Sequence, residues 1–299
     1  MIPLPPGTGS THTNRRKMHL KEALALASGR IGGETAALEA QVLLAYLLGR
    51  SRTWILAHPE TELTPAQVQA MQQSLARLCA GDPLPYVLGH WEFFGLEFKL
   101  SPHVLIPRPE TELLVEQAIA WLQAHPRRRS VLEIGTGSGC LAISIARHIH
   151  DAEILASDVS FEALTLARDN ARRHQVAERI AFLQADLFSA FPASNPTTRG
   201  FSLICSNPPY IPTAVLQGLK VFQHEPTYAL DGGPDGLSLI SRLLEGARNW
   251  LGGPGLLLIE IDSSQGQQAR TIARDTFPAD RIHVYRDLSG HDRLLSISR

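Results

Sequence analysis

The stretch Ser206-Asn207-Pro208-Pro209-Tyr210 follows the apolar run Phe201-Ser202-Leu203-Ile204-Cys205, which reads as a strand, so it falls where a strand ends. Proline cannot donate a ladder hydrogen bond, and a residue before proline is pushed out of the helical region. Asn207 and Pro208 are therefore both held extended. The Pro208 carbonyl is left without a ladder partner and can point the same way as the Asn207 side-chain oxygen. Two fixed acceptors facing one small space suit a planar nitrogen that carries two hydrogens, a carboxamide or the exocyclic amine of adenine or cytosine. Such nitrogens are poor nucleophiles because their lone pair is delocalised. Accepting both hydrogens raises electron density on nitrogen and aims one face of it at an electrophile, which is positioning and electrostatics rather than base catalysis. Tyr210 would lie against the flat group. The same residue types also build plain rigid turns, so the chemistry depends on what surrounds them.

The surroundings are an alternation of strands and helices beyond Arg127-Arg128-Arg129, a run that reads as a solvated charge cluster. The fold class expected is α/β, a doubly wound Rossmann-like sheet with a small N-terminal helical domain. Val131-Leu132-Glu133-Ile134 is the first strand, and Gly135-Thr136-Gly137-Ser138-Gly139 follows at once, ahead of a helix over 141–149. Glycines there permit a tight turn and close backbone approach to a ligand. Cys140 stands where a dinucleotide-binding loop expects its third glycine, which disfavours NAD and FAD. A second strand from Glu153 ends at Asp158, 19 residues past Gly139, where an acid can accept from ribose hydroxyls or cap the helix over 161–173. A third strand, 180–184, leads into Ala185-Asp186-Leu187-Phe188; Asp186 would meet an adenine amine, with Leu187 and Phe188 walling the ring. Glycine loop, acid, acid with apolar pair, and the Asn-Pro-Pro-Tyr turn form one ordered series at four successive strand ends. That series points to an adenosine-bearing cofactor beside an activated nitrogen, that is, S-adenosylmethionine.

The rest of the chain sets limits. At 299 residues, 44% hydrophobic and 19% charged, it is long enough for one sizeable domain and a smaller one. A net charge of −1 gives no global attraction to polyphosphate, so no stable nucleic-acid binding is expected. Cys79, Cys140 and Cys205 are odd in number, far apart and in no ligand spacing, so they read as buried thiols in a reducing compartment, the cytoplasm; no metal site is visible. No run has membrane-spanning length. Residues 1–17, rich in proline and glycine, read as a disordered tail, with a transit peptide as the minor alternative. Residues 18–84 read as three helices of a substrate-recognition domain, with Thr64 and Pro65 opening the last. Residues 85–108 read as an extended or hairpin connector, and 109–299 as the catalytic domain, its first helix begun by Pro109 with Arg108 and Glu110 near the site.

The chain resembles the release factor glutamine methyltransferase family. The resemblance rests on the helical domain, Ile106-Pro107-Arg108-Pro109-Glu110-Thr111-Glu112, Glu133-Ile134-Gly135-Thr136-Gly137-Ser138-Gly139, Asn207-Pro208-Pro209-Tyr210, and Glu225-Pro226 followed by Ala229-Leu230-Asp231-Gly232-Gly233. It implies S-adenosylmethionine-dependent methylation of the side-chain amide of the glutamine in the Gly-Gly-Gln motif of class I peptide chain release factors. It also implies cofactor contacts from Glu133, Ile134, Gly135, Thr136, Gly137, Asp158, Leu187 and Asn207, with Asn207, Pro208, Pro209 and Tyr210 holding the glutamine. Asp186 joins the cofactor set from the residues alone. The chain departs from the family pattern at His224, at Leu187 and at Asp262, which follows Glu260-Ile261 where a glycine is common. Three rival readings stand beside this one. A ribosomal protein glutamine methyltransferase would share nearly the same catalytic domain. An adenine amino-methyltransferase would need a base-flipping pocket and a basic surface. A catalytically silent cofactor-binding module would not need the intact turn.

Overall fold

The computed structural model describes residues 17–192 and 200–299, and the chain divides into two compact units with the boundary after Leu88. The expected tail and the transit-peptide alternative lie outside the described residues, apart from Lys17, which pairs with Glu62 at 2.8 Å.

The first unit is helical. Helices α1 (Leu20–Ile31), α2 (Ala36–Leu48) and α4 (Pro65–Cys79) follow the apolar spacing. Thr64 caps α4 through a capping box with Gln67, and Pro65 fills its first turn. Two short helices join the expected three. In α3 (Arg52–Ala57) Ser51 accepts from the Trp54 N–H at 3.1 Å, and in α5 (Leu84–Leu88) the Pro83 carbonyl accepts from Tyr86 and Val87. Residues 84–88 are thus helical rather than extended, because Pro85 falls in the first turn, where its missing N–H costs no helical hydrogen bond, and Gly89 at φ +76° ends the helix. Leu20, Leu43, Leu44, Ile55, Met71 and Leu75 form the fully buried centre of this unit. Cys79, expected to be a buried thiol, is exposed, because it is the last residue of α4 and its Sγ donates to the Arg30 carbonyl at the surface.

The second unit begins with an antiparallel hairpin, β1 (His90–Phe93) and β2 (Leu96–Lys99), turning at Phe94-Gly95. Phe93 and Phe98 are buried in the core of this unit, a contribution of roughly 1.5–3 kcal/mol each, so the hairpin is part of the larger domain rather than a free connector. Asn170, buried in α8 (Phe161–Arg173), exchanges hydrogen bonds with the backbone of Lys99 and also donates to the Ser138 carbonyl in the glycine loop. One side chain thereby ties the hairpin to that loop.

The central sheet has seven strands in the order β5-β4-β3-β6-β7-β9-β8. They are β3 (Ser130–Ile134), β4 (Glu153–Asp158), β5 (Ile180–Gln184), β6 (Phe201–Ser206), β7 (Leu251–Glu260), β8 (Arg281–Arg286) and β9 (Asp292–Ser298). The first five run parallel; β9 is antiparallel to β7 and to β8. Near-continuous apolar runs such as Val131-Leu132 and Leu203-Ile204-Cys205 are buried because helices cover both faces. Helices α6 (Glu112–Ala124) and α7 (Cys140–His148) pack on one face, and α9 (Ser238–Trp250) and α10 (Gly266–Thr276) on the other. Arg129 is not solvated as expected: its guanidinium donates to the Leu122 and His125 carbonyls and to Asp151, closing the C-terminus of α6. The chain leaves β3 towards β4 and β5, then returns to build β6 and β7 on the other side, so the switch point lies between β3 and β6. A crevice opens at such a point outside the carboxyl ends of the strands.

Candidate functional site

Register brings the motifs together. Ile134 pairs with Ser206 and with Ser157, and Asp158 pairs with Gln184, so Gly135, Asn207 and Asp158 leave the sheet as neighbours. A cavity of about 240 Å³ opens there, lined by Glu133, Ile134, Gly135, Thr136, Gly137, Asp158, Asp186, Leu187, Asn207, Pro208 and Pro209 among others. Pro107 and Thr111 reach it from the segment before α6, and His103 and Tyr228 from two further loops. The Tyr228 hydroxyl donates to the His103 carbonyl at 2.6 Å, joining those loops beside the cavity.

The loop after β3 carries its glycines where side chains would be strained. Gly135 and Gly137 sit at φ +76° and +56°, and a Cβ on either would meet no atom within 4 Å. The backbone is therefore bare towards the cavity. Gly139 at φ +82° is different, since a Cβ would press on Ile143 at 3.0 Å and Ala167 at 3.2 Å, so its role is close helix packing. Thr136 donates to Glu133 Oε2 at 2.7 Å, and the Ala142 N–H donates to the same oxygen at 3.1 Å. Glu133 Oε1 is buried and has no hydrogen-bond partner among the described residues. Burial pushes the Glu133 pKa up to about 8, with the two hydrogen bonds pulling against it.

Asp158 does not cap the following helix. Ser160 does, accepting from the Ala163 N–H at 3.1 Å. Asp158 Oδ2 instead accepts from the Gly137 N–H at 2.8 Å and Oδ1 from the Ser160 N–H at 2.9 Å, which fixes the tip of the glycine loop. Burial raises its pKa while these N–H groups lower it. Asp186 lines the cavity, yet its carboxylate pairs with Arg242 at 2.8 Å on the exposed side. Leu187 lines the cavity at φ +49°, a left-handed conformation costing a leucine roughly 1–2 kcal/mol. The expectation that Phe188 forms a second wall is corrected. Its ring packs on Gly246, where an added Cβ would lie 2.1 Å from it, and tilts against Phe191. The left-handed turn at Leu187 sends neighbouring side chains to opposite sides, which an apolar pair in sequence does not reveal.

At the end of β6 the Asn207 amide nitrogen donates to Thr111 Oγ1 at 3.1 Å. Its carbonyl oxygen is therefore the end left to accept. The Pro208 carbonyl accepts no hydrogen bond from the described residues. Tyr210 is not among the cavity-lining residues; its hydroxyl donates to Glu260 Oε1 at 3.3 Å, and burial raises its pKa. The chain beyond the turn is clamped. Gln265 donates to the Tyr210 and Gly236 carbonyls, and Gly232 packs so closely that a Cβ would stand 2.7 Å from Tyr210 Cα. Buried Glu225 accepts from the Ile106 N–H at 3.1 Å and pairs with Arg108, anchoring the segment that carries Pro107 and Thr111. Gln265 and the Tyr228–His103 bridge carry no signal in the sequence pattern, and Thr111 enters only as part of the 106–112 motif of the resemblance. The Glu225-Pro226 pair is visible only through the resemblance.

The donor set fits an adenosine-bearing, positively charged ligand. A bare glycine backbone, an acid at the tip of β4, an apolar wall at Leu187 and a buried carboxylate oxygen lacking a partner at Glu133 are what such a group requires. Among the described residues no helix is long and apolar enough to cross a membrane.

Comparison with known proteins agrees with this arrangement. Residues 22–89 match the family model of the PrmC N-terminal domain, and residues 110–221 that of the methyltransferase small domain. The release factor glutamine methyltransferase of Moorella thermoacetica is 42% identical over 282 residues, covering 92% of this chain and 97% of that protein. The protein of the same name from Bordetella pertussis is 42% identical over 260 residues, covering 86% and 93%. Among solved structures, the hMettl16 catalytic domain in complex with a 3'UTR hairpin superposes with a TM-score of 0.54 at 13% identity, over 85% of this chain and 92% of that one, which is a likeness of fold. The chain belongs to the release factor glutamine methyltransferase family.

Proposed function

We propose that this protein methylates the side-chain amide nitrogen of the glutamine in the Gly-Gly-Gln motif of class I peptide chain release factors, with S-adenosylmethionine held in the cavity between β3 and β6. The observation that carries the chemistry is the orientation of Asn207. Its N–H is taken by Thr111, so its oxygen and the Pro208 carbonyl are the acceptors at the switch point. The family relationship supplies the substrate.

Glu133, Gly135, Gly137, Asp158 and Leu187 would hold the cofactor, with Ile134, Thr136 and Asp186 around them. When bound, S-adenosylmethionine supplies an electrophilic methyl on a sulfonium sulfur. Asn207 Oδ1 and the Pro208 carbonyl accept the two amide hydrogens of the substrate glutamine, which concentrates electron density on its nitrogen and fixes the direction of its lone pair. Pro209 keeps both acceptors extended. Tyr210 acts from behind the turn, its hydroxyl bound to Glu260, rather than as a wall of the cavity. No strong base is required, because an N-protonated amide is acidic enough to lose its proton to water.

The test is to incubate the enzyme and labelled S-adenosylmethionine with an unmodified release factor, with the ribosomal glutamine protein and with unmethylated DNA, and to map the label by mass spectrometry. One methyl on the Gly-Gly-Gln glutamine, lost when that glutamine becomes alanine, is the expected outcome. Label on the ribosomal protein or on adenine, with none on the release factor, overturns the substrate assignment.

A further inference from the structure

Two loops beside the cavity are joined by a hydrogen bond to which the chemistry above assigns no task. The first, residues 100–107, follows β2, and His103, Val104, Leu105 and Pro107 line the cavity from it. The second, residues 225–232, contributes Tyr228 and Ala229 to the lining. The Tyr228 hydroxyl donates to the His103 carbonyl at 2.6 Å, across 125 positions of chain. Tyr228 is 47% exposed, and Pro102 and His103 are exposed beside it. Water therefore stands ready to replace either partner, so this bond opens without stranding a buried polar group.

The ties on either side of it are firmer. At the root of the first loop the Lys99 N–H donates to buried Asn170 at 2.9 Å and the Leu100 N–H to the Gly89 carbonyl at 2.9 Å. Its far end is held where the Ile106 N–H donates to buried Glu225 at 3.1 Å. Between those pins residues 101–105 run along the cavity, with the Val104 N–H donating to the Ser101 carbonyl at 3.2 Å. The second loop is fixed throughout. Glu225 anchors its start by pairing with Arg108. The Leu230 carbonyl accepts from the Ile211 N–H at 3.0 Å, the Gly232 N–H donates to the Ile211 carbonyl at 2.8 Å, and Asp231 accepts from the Thr213 hydroxyl at 2.6 Å. The Pro226 carbonyl accepts from the Ala229 N–H at 2.9 Å, which closes the turn that carries Tyr228. Tyr228 thus stands on a post mounted directly after the Asn207 turn, and residues 101–105 form a flap pinned at both ends that reaches it.

We infer that Tyr228 is a positioning residue whose hydroxyl latches residues 101–105 over the cofactor cavity and thereby sets how fast the cofactor enters and leaves. This rests on the reading of the cavity as the S-adenosylmethionine site. Each methyl transfer consumes the donor, so spent and fresh cofactor exchange once per turnover and the latch bears on every cycle. The bond joins two protein groups and includes no cofactor atom. Weakening it raises the open population of the free and the loaded protein by the same factor, which speeds entry and exit together and leaves their ratio, the affinity, in place. A side chain bonded to the cofactor itself behaves otherwise, because its loss speeds exit alone. The net worth of one partly exposed hydrogen bond sets the scale at about 3- to 10-fold in each rate.

The experiment measures entry and exit rates of S-adenosylmethionine by stopped flow, its affinity by calorimetry, and amide hydrogen exchange, for the wild type, Tyr228→Phe and Pro102→Gly. Tyr228→Phe keeps the ring and removes the latch alone. Both rates are expected to rise about 3- to 10-fold while the dissociation constant stays within about twofold. Exchange at the Val104 N–H should quicken, and exchange at the Ile106 N–H, held by Glu225, should not. Pro102→Gly loosens the flap through chain entropy without touching the latch, so it should shift both rates in the same direction and serves as the independent variant. A rise in the exit rate alone, with affinity weakened by the same factor, makes the hydroxyl a cofactor contact and overturns the inference. Rates within about twofold of wild type in Tyr228→Phe overturn it as well. Failure of the wild type to bind S-adenosylmethionine overturns the reading of the cavity, and the inference with it.

Discussion

The two flanks of the switch point are held by different means. On the β3–β5 flank the geometry is set mainly by backbone. Gly135 and Thr136 donate from their N–H groups to the Ser157 carbonyl, Gly137 donates to Asp158, and Ala185 donates to the Asp158 carbonyl. On the β6–β7 flank it is set by side chains: Asn207 donates to the Thr111 hydroxyl, Tyr210 to Glu260, and Gln265 to the Tyr210 carbonyl. Backbone mounting gives a cradle whose shape survives most single side-chain changes. Side-chain mounting gives a part that one lost hydroxyl can misdirect. The first suits a ligand that must be bound, the second a group that must be aimed.

The largest expected effect is at the aimed part. Asn207→Ala should lower turnover by ~10²-fold or more, as removal of a preorganised polar group does, while cofactor affinity by calorimetry changes much less. Near-normal turnover would erase the contrast between the flanks. Next comes Asp158→Ala, which removes both the grip on Gly137 and an acceptor facing the cavity. Binding of S-adenosylmethionine should weaken by roughly 1.5–3 kcal/mol, about 10- to 150-fold in Kd, with kcat at saturation falling little. An unchanged affinity would reduce Asp158 to a support for the loop.

A third test sharpens the electrostatic side. Glu133 has a folded pKa raised by burial to about 8 from 4.5. Between those values the folded state holds a proton that the unfolded state has lost, so stability falls as pH rises through this window. Melting of the ligand-free protein should therefore decline from pH 5 to 8, and Glu133→Gln should flatten the decline. Glu260 contributes in the same direction over a window ending near 7, so some slope must remain. An identical slope in Glu133→Gln would place the perturbed carboxyl elsewhere. The smallest effect is Ser160→Ala, which removes the cap of α8 and should cost about 1 kcal/mol in a denaturation midpoint with cofactor affinity nearly unchanged.

These tests also trace what could be read before the structure. The glycine loop and the Asn-Pro-Pro-Tyr turn were legible because covalent geometry dictates them: glycine where φ is positive, proline where the chain must stay extended. The order of acids at successive strand ends was legible because a parallel sheet places those ends in one row. Partnerships across the chain were not. Asn207 meets Thr111 across 96 positions, Arg108 meets Glu225 across 117, and Tyr228 meets His103 across 125, and each depends on which loops the topology brings side by side. Phe188 was misplaced for a local reason, the left-handed turn at Leu187, which residue type does not announce for leucine.

The pairing of Ile134 with Ser206 has a consequence for how this chemistry can change over time. Adjacent strands are spaced about 4.8 Å apart by the hydrogen bonds between them, so the roots of the glycine loop and of the Asn207 turn are gauged by the ladder itself. A one-residue slip would turn every side chain of β6 to the opposite face and bury the wrong set, so intermediate spacings do not exist. The sheet works as a machinist's jig: the separation of the two roots cannot drift gradually, whereas the loops bolted around them can be exchanged freely. Divergence of substrate is thus channelled into the loops, and the spacing at the centre is inherited whole or lost.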